Sequence, residues 1–83
     1  MDAITEQEIL AGLSAIVERI AGVPAAEVTP EKSFLDDLGV DSLSLVEISV
    51  VAQETFGVDG SDAQLRTLST VGDAVAFIDR ARS

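Results

Sequence analysis

Eighty-three residues without a single cysteine or histidine exclude a disulfide-stapled scaffold, a thiolate metal site and histidine-based catalysis. A chain this short makes one domain, expected over residues 1–83, and its core has to come from apolar packing. Fifteen acidic residues against five basic ones, a net charge of −10, argue against nucleic acid and against insertion into or attraction to an anionic membrane, and favour partners with basic patches.

The apolar share is 47%, but it includes three Phe and neither Tyr nor Trp. Such a core is built mainly of Leu, Ile, Val and Ala, which suits helices packed on helices. The first twenty residues carry Asp2, Glu6, Glu8 and Glu18 and have no basic start, so no secretory signal is read there. The run ILAGLSAIV is too short to span a bilayer. The expected location is cytoplasmic.

In chain order, Thr5 followed by Glu8 fits a capping box, in which hydroxyl and carboxylate satisfy amides at a helix start. Ile9, Leu13, Ile16, Val17 and Ile20 then recur at helical spacing, predicting helix I over residues 5–20, ended by Gly22 and Pro24. Residues 21–41 lack a sustained period. Val23, Val28, Phe34, Leu35 and Leu38 are expected to pin this long connection to the core, with PAAEV forming one helical turn.

Helix II is expected from Ser42 to Phe56, with Gly57 as its stop. A short helix near residues 62–67 follows the DGSD turn. Thr70 and Asp73 repeat the capping arrangement before a last helix whose apolar face is Val71, Ala74, Val75 and Ile78. No strand signal is present. The expected fold is an all-α four-helix bundle with three main helices, one short helix and a long helix I–II loop.

Helix II has two distinct faces. At 100° per residue, Leu45, Ile48, Ser49, Ala52 and Phe56 share a core side. Leu43, Glu47, Val50 and Glu54 form a separate row of alternating apolar and acidic groups. Periodicity leaves two readings of that row open: an ordinary solvated face, or a surface for a partner with basic residues around an apolar pocket. Ser49 interrupts the core side; its hydroxyl can bond back one turn, or line the polar edge of an internal cavity.

Ser42 poses the sharpest question. A nucleophilic serine needs a base, no histidine exists, and the only lysine, Lys32, sits in a charged turn. By position Ser42 reads first as the N-cap of helix II. A helix start also suits a phosphoester, so this serine can instead be modified by another enzyme.

The segment SFLDDLGVDSLSLVEI resembles the signature of acyl carrier proteins, and EILAGLSAIVERIAGV and STVGDAVAFI resemble their first and last helices, so the resemblance covers nearly the whole chain. The variant is most similar to discrete carriers of bacterial type II fatty-acid synthesis, especially actinobacterial ones. The resemblance implies a non-enzymatic carrier in which Ser42 bears 4′-phosphopantetheine, delivered from coenzyme A by a phosphopantetheinyl transferase. The thiol of that arm would hold the acyl chain as a thioester. Asp41 and Leu43 complete the triplet the transferase reads, and Glu47, Val50 and Glu54 match a recognition helix that docks on basic patches of synthase enzymes. An acyl pocket is implied among Leu45, Ile48, Ala52, Leu65, Leu68 and Val71. The carrier is expected to work as a monomer, with no metal site.

Three departures from the common pattern stand out. Ser44 replaces an acidic residue, Gly60 and Ser61 replace an Ile-Pro pair, and helix II keeps only two carboxylates. They leave open a carrier dedicated to a polyketide or other specialised acyl pathway. A carrier-like helical domain that is never loaded is the alternative of another class. DGSD and DDLGVD lack the ligand spacing of an EF-hand loop.

Overall fold

The computed structural model describes residues 5–58 and 70–82. Helix α1 (Glu6–Ala21) starts where its sequence signature places it. The Glu8 amide donates to Thr5 Oγ1 at 3.2 Å, and the Thr5 amide donates to Glu8 Oε1 at 2.8 Å, closing the capping box. Ile9, Leu13, Ile16 and Val17 are buried along one side, and Ile20 packs partly buried against the same core.

The connection to the next helix is structured by short-range bonds. A 3-10 turn, Ala25–Glu27, forms within PAAEV. The chain then folds into a tight turn over residues 33–38. Ser33 Oγ accepts from the Asp36 and Asp37 amides at 3.1 and 2.9 Å, while Asp37 Oδ2 accepts from the Ser33 amide at 2.9 Å. The Val40 amide donates to the Phe34 carbonyl at 2.8 Å. Between them Gly39 takes φ 67°, a left-handed value open to glycine at little steric cost.

This turn corrects one expectation about the loop. Val28 and Phe34 are buried, and Val23 and Leu38 are partly so, but Leu35 is 52% exposed. The turn bonded around Ser33 directs Phe34 inward and leaves its neighbour in solvent. Val40, which no periodicity marks, is buried in its place.

Helix α2 (Ser42–Phe56) and helix α3 (Val71–Arg82) complete the described architecture. Both pack on α1. At the start of α3 the Asp73 amide donates to Thr70 Oγ1 at 3.1 Å, and the Thr70 amide reaches Asp73 Oδ2 at 3.4 Å. Two further amides at that helix end are satisfied from the loop: Val71 N–H donates to the Lys32 carbonyl at 2.9 Å and Gly72 N–H to the Pro30 carbonyl at 2.8 Å. An isolated antiparallel bridge pairs Ser33 with Thr70. The approach is close enough that a Cβ at position 72 would lie 3.0 Å from the Pro30 carbonyl oxygen, a tight contact that the loop could take only by giving way a few tenths of an ångström.

The fold is therefore all-α, three helices and a short 3-10 turn, with no strand among the described residues. The short helix expected over residues 62–67 lies outside the described residues, as do Leu65 and Leu68. No helix among the described residues is long and apolar enough to cross a membrane.

Candidate functional site

The N-terminus of α2 is capped by Asp41, not by Ser42. Asp41 holds the extended conformation of a capping residue, φ −79° and ψ 168°, and its Oδ1 accepts from the Ser44 amide at 2.7 Å. A carboxylate accepts such a bond more strongly than a hydroxyl does, because the acceptor is charged. Hydrogen bonds from the Ser44 amide and hydroxyl, with a weaker one from the Leu43 amide, hold the Asp41 carboxyl below its ordinary range. The aspartate thus takes the structural role at this helix end. Ser42 becomes the first residue of the helix proper, exposed, with the cap made without its hydroxyl.

Beyond Ser42, α2 separates its two faces as its periodicity predicts. Leu45, Ile48, Ser49, Ala52 and Phe56 are buried. Leu43 is 81% exposed and Val50 42%, with Glu47 and Glu54 exposed beside them. Two large apolar side chains are thus left in solvent, alternating with carboxylates along one helix.

Inward from α2 lies a cavity of about 10 Å³, lined by Leu13, Phe34, Leu45, Ile48, Ser49, Ala52, Ala74 and Ile78. That is room for about one water molecule. Of the residues expected at an acyl pocket, Leu45, Ile48 and Ala52 line it. Val71 is fully buried at the start of α3 but is not on the cavity wall. Leu13, Ala74 and Ile78 carry a core signal in their own helices, but no sequence signal brings them to this wall. Phe34 comes from the loop, where it is expected to pin the connection to the core, but nothing in the sequence brings it to this wall. Among the described residues, no three or more acidic, histidine or cysteine side chains are grouped to hold a metal ion.

No histidine or cysteine stands anywhere in the chain to activate the Ser42 hydroxyl, which is exposed at the start of the helix that carries Leu43, Glu47, Val50 and Glu54. Residues 11–78 match the family described as the phosphopantetheine attachment site, and the chain belongs to that family, among the acyl carrier proteins, which are carriers and not enzymes. It is similar to the acyl carrier protein of Thermobifida fusca, 60% identical over 94% of this chain and 99% of that one. The meromycolate extension acyl carrier protein of Mycolicibacterium smegmatis is 53% identical over 94% of this chain and 79% of its own length. Among solved structures, the acyl carrier protein from Enterococcus faecalis superposes with a TM-score of 0.76 at 31% identity, covering 94% of this chain and 99% of that one.

Proposed function

We propose that the chain, as one domain over residues 1–83, carries acyl intermediates as thioesters on a 4′-phosphopantetheine arm attached at Ser42, for type II fatty-acid synthesis in the cytoplasm. The observation that carries this reading is the exposure of Ser42 at the start of α2, with Asp41 rather than Ser42 serving as the cap. An exposed primary hydroxyl at a helix N-terminus fits a phosphodiester, since the helix end favours an anion and no cap is lost when the hydroxyl is consumed. The arm, when bound, supplies the thiol that this cysteine-free chain lacks.

The rest of the work falls to side chains of the protein. Asp41 and Leu43 flank the modified position and would be read by the phosphopantetheinyl transferase. Leu43, Glu47, Val50 and Glu54 would dock on synthase enzymes with basic patches around an apolar pocket. Such contacts are weak and salt-sensitive, as a shuttle that leaves each partner requires. The cavity beside Leu45, Ile48 and Ala52 would widen to take the acyl chain, with Leu65, Leu68 and Val71 proposed as further contacts. A monomer suffices for each of these roles.

A second reading, a carrier serving a specialised lipid pathway, is supported by the mycobacterial relatives named for meromycolate extension. It is supported too by Ser44 and by Gly60 and Ser61, where the sequence departs from common fatty-acid carriers. The attachment itself is tested by intact mass after incubation with coenzyme A and a phosphopantetheinyl transferase. The expected result is a gain of one phosphopantetheine, absent in Ser42→Ala. No gain with a broadly tolerant transferase would instead make this an unloaded interaction domain.

A further inference from the structure

Besides Leu43 and Val50, the described residues leave one more large apolar side chain exposed: Leu35, in the loop before Ser42. Single exposed leucines are ordinary on a protein surface, but these three are not scattered. All fall between residues 35 and 50, around Ser42, and α1 and α3 contribute none. The turn that carries Leu35 is fixed. The Asp37 and Leu38 amides both donate to the Ser33 carbonyl, at 3.2 and 3.0 Å, beside the side-chain bonds that close the same turn. The bond from the Val40 amide to the Phe34 carbonyl, at 2.8 Å, brings the chain next to Leu35 within two residues of Ser42. Bond lengths along that path put the Leu35 and Ser42 Cα atoms within about 15 Å of each other. An interface of standard size covers about 800 Å² of each partner, a patch roughly 30 Å across, so one partner can touch both. The charge around them selects the kind of partner. Residues 33–58 hold Asp36, Asp37, Asp41, Glu47 and Glu54, all exposed, while Arg19, Lys32, Arg66, Arg80 and Arg82 all lie outside that stretch.

We propose that Leu35 is a docking residue for the phosphopantetheinyl transferase, seated in an apolar recess on a cationic face of that enzyme. This rests on the reading of Ser42 as the attachment site. Attachment forms a bond from Ser42 Oγ to the phosphorus that bears pantetheine in coenzyme A. The bond from that phosphorus to the oxygen of the departing adenosine 3′,5′-bisphosphate breaks, and the hydroxyl proton passes to a base on the transferase. The reacting oxygen belongs to the carrier itself, so the transferase has to hold the protein surface in register, and small misplacements are costly in rate. Contacts along α2 alone form a line about which the carrier can rotate. Leu35, set off the helix in a rigid turn, is the contact that stops this rotation. An enzyme acting on the acyl group works at the far end of a flexible arm and needs no such alignment.

The test follows transfer from coenzyme A onto the parent, Leu35→Ser and Leu35→Met by the transferase of the same organism, read by intact mass. For the carrier as substrate, kcat/KM should fall about 5- to 10-fold in Leu35→Ser, the effect of burying the half of the leucine still in water, and stay within about 2-fold in Leu35→Met. Each variant, once loaded by long incubation, is then offered to an acyl transferase that moves a malonyl group from coenzyme A onto the arm's thiol, where no fall is expected. Circular dichroism checks the fold. If Leu35→Ser is less helical than the parent, Leu35→Lys takes its place, since its stem keeps the aliphatic cover, and the fall is larger because a cation then meets a cationic face. An unchanged kcat/KM would overturn the inference and leave the attachment reading intact. So would Leu35→Met as impaired as Leu35→Ser, or an equal fall in malonyl loading. If the parent itself gains no arm, the attachment reading fails and the inference goes with it.

Discussion

The two faces of α2 share one backbone and both carry apolar groups, yet those groups have opposite fates. Leu45, Ile48, Ala52 and Phe56 are removed from water and hold the helix to the rest of the fold. Leu43 and Val50 are left in it, spaced among Glu47 and Glu54. Burial of a large aliphatic side chain contributes about 1.5–3 kcal/mol, so the first face carries stability. The second contributes little to folding and leaves its apolar area available to a partner. The difference teaches that an apolar residue in a helix is not by itself a core residue; its angular position decides.

The comparison breaks most visibly at Ile48. Ile48→Ala should destabilise the protein by about 2–5 kcal/mol, seen as a lower urea midpoint, because it opens space in a packed wall. Leu43→Ala should stay within about 0.5 kcal/mol of the parent in the same titration. A large loss at Leu43 would mean that the exposed row is part of the core. Gly72→Ala comes next, with an expected cost of about 1–3 kcal/mol, since its new methyl would press on the Pro30 carbonyl and strain the loop-to-α3 bonds.

Asp41→Ala should act through pH. The folded state lowers the Asp41 pKa, so the ionised carboxylate stabilises the fold. That contribution is whole above the ordinary aspartate range, about pH 3.9, and is lost as pH falls through the lowered folded value. The gap in thermal stability between parent and Asp41→Ala should therefore be widest near neutral pH and close below about pH 4. A gap unchanged down to acid would show that the cap does not work through its charge. The smallest effect on stability is expected for Glu47→Gln with Glu54→Gln, within about 0.5 kcal/mol, while the salt dependence of binding to a basic partner enzyme flattens.

Much of the fold was legible because its signals are local. Thr5 with Glu8 and Thr70 with Asp73 bond across three residues, so the sequence places both helix starts. The sorting of α2 into a buried and an exposed face depends only on helical geometry, and the observed burial follows it. By position the cap of α2 reads as Ser42, yet Asp41, one residue earlier, is as good a capping residue. The backbone settles it by leaving the helix at Asp41 and beginning it at Ser42.

Sequence alone thus determined the three described helices, the capping pairs at the starts of α1 and α3, the two faces of α2 and the family resemblance around Ser42, all of which depend on neighbours within a few residues. Tertiary structure decided what has no local signature. It left Leu35 outward beside the buried Phe34, buried Val40, and brought Pro30 against Gly72. It also gathered Leu13, Phe34, Ser49 and Ile78, from three helices' worth of sequence and a loop, onto one small cavity. Those placements depend on how distant segments share space, and a period or a motif carries no information about what the chain meets on its far side.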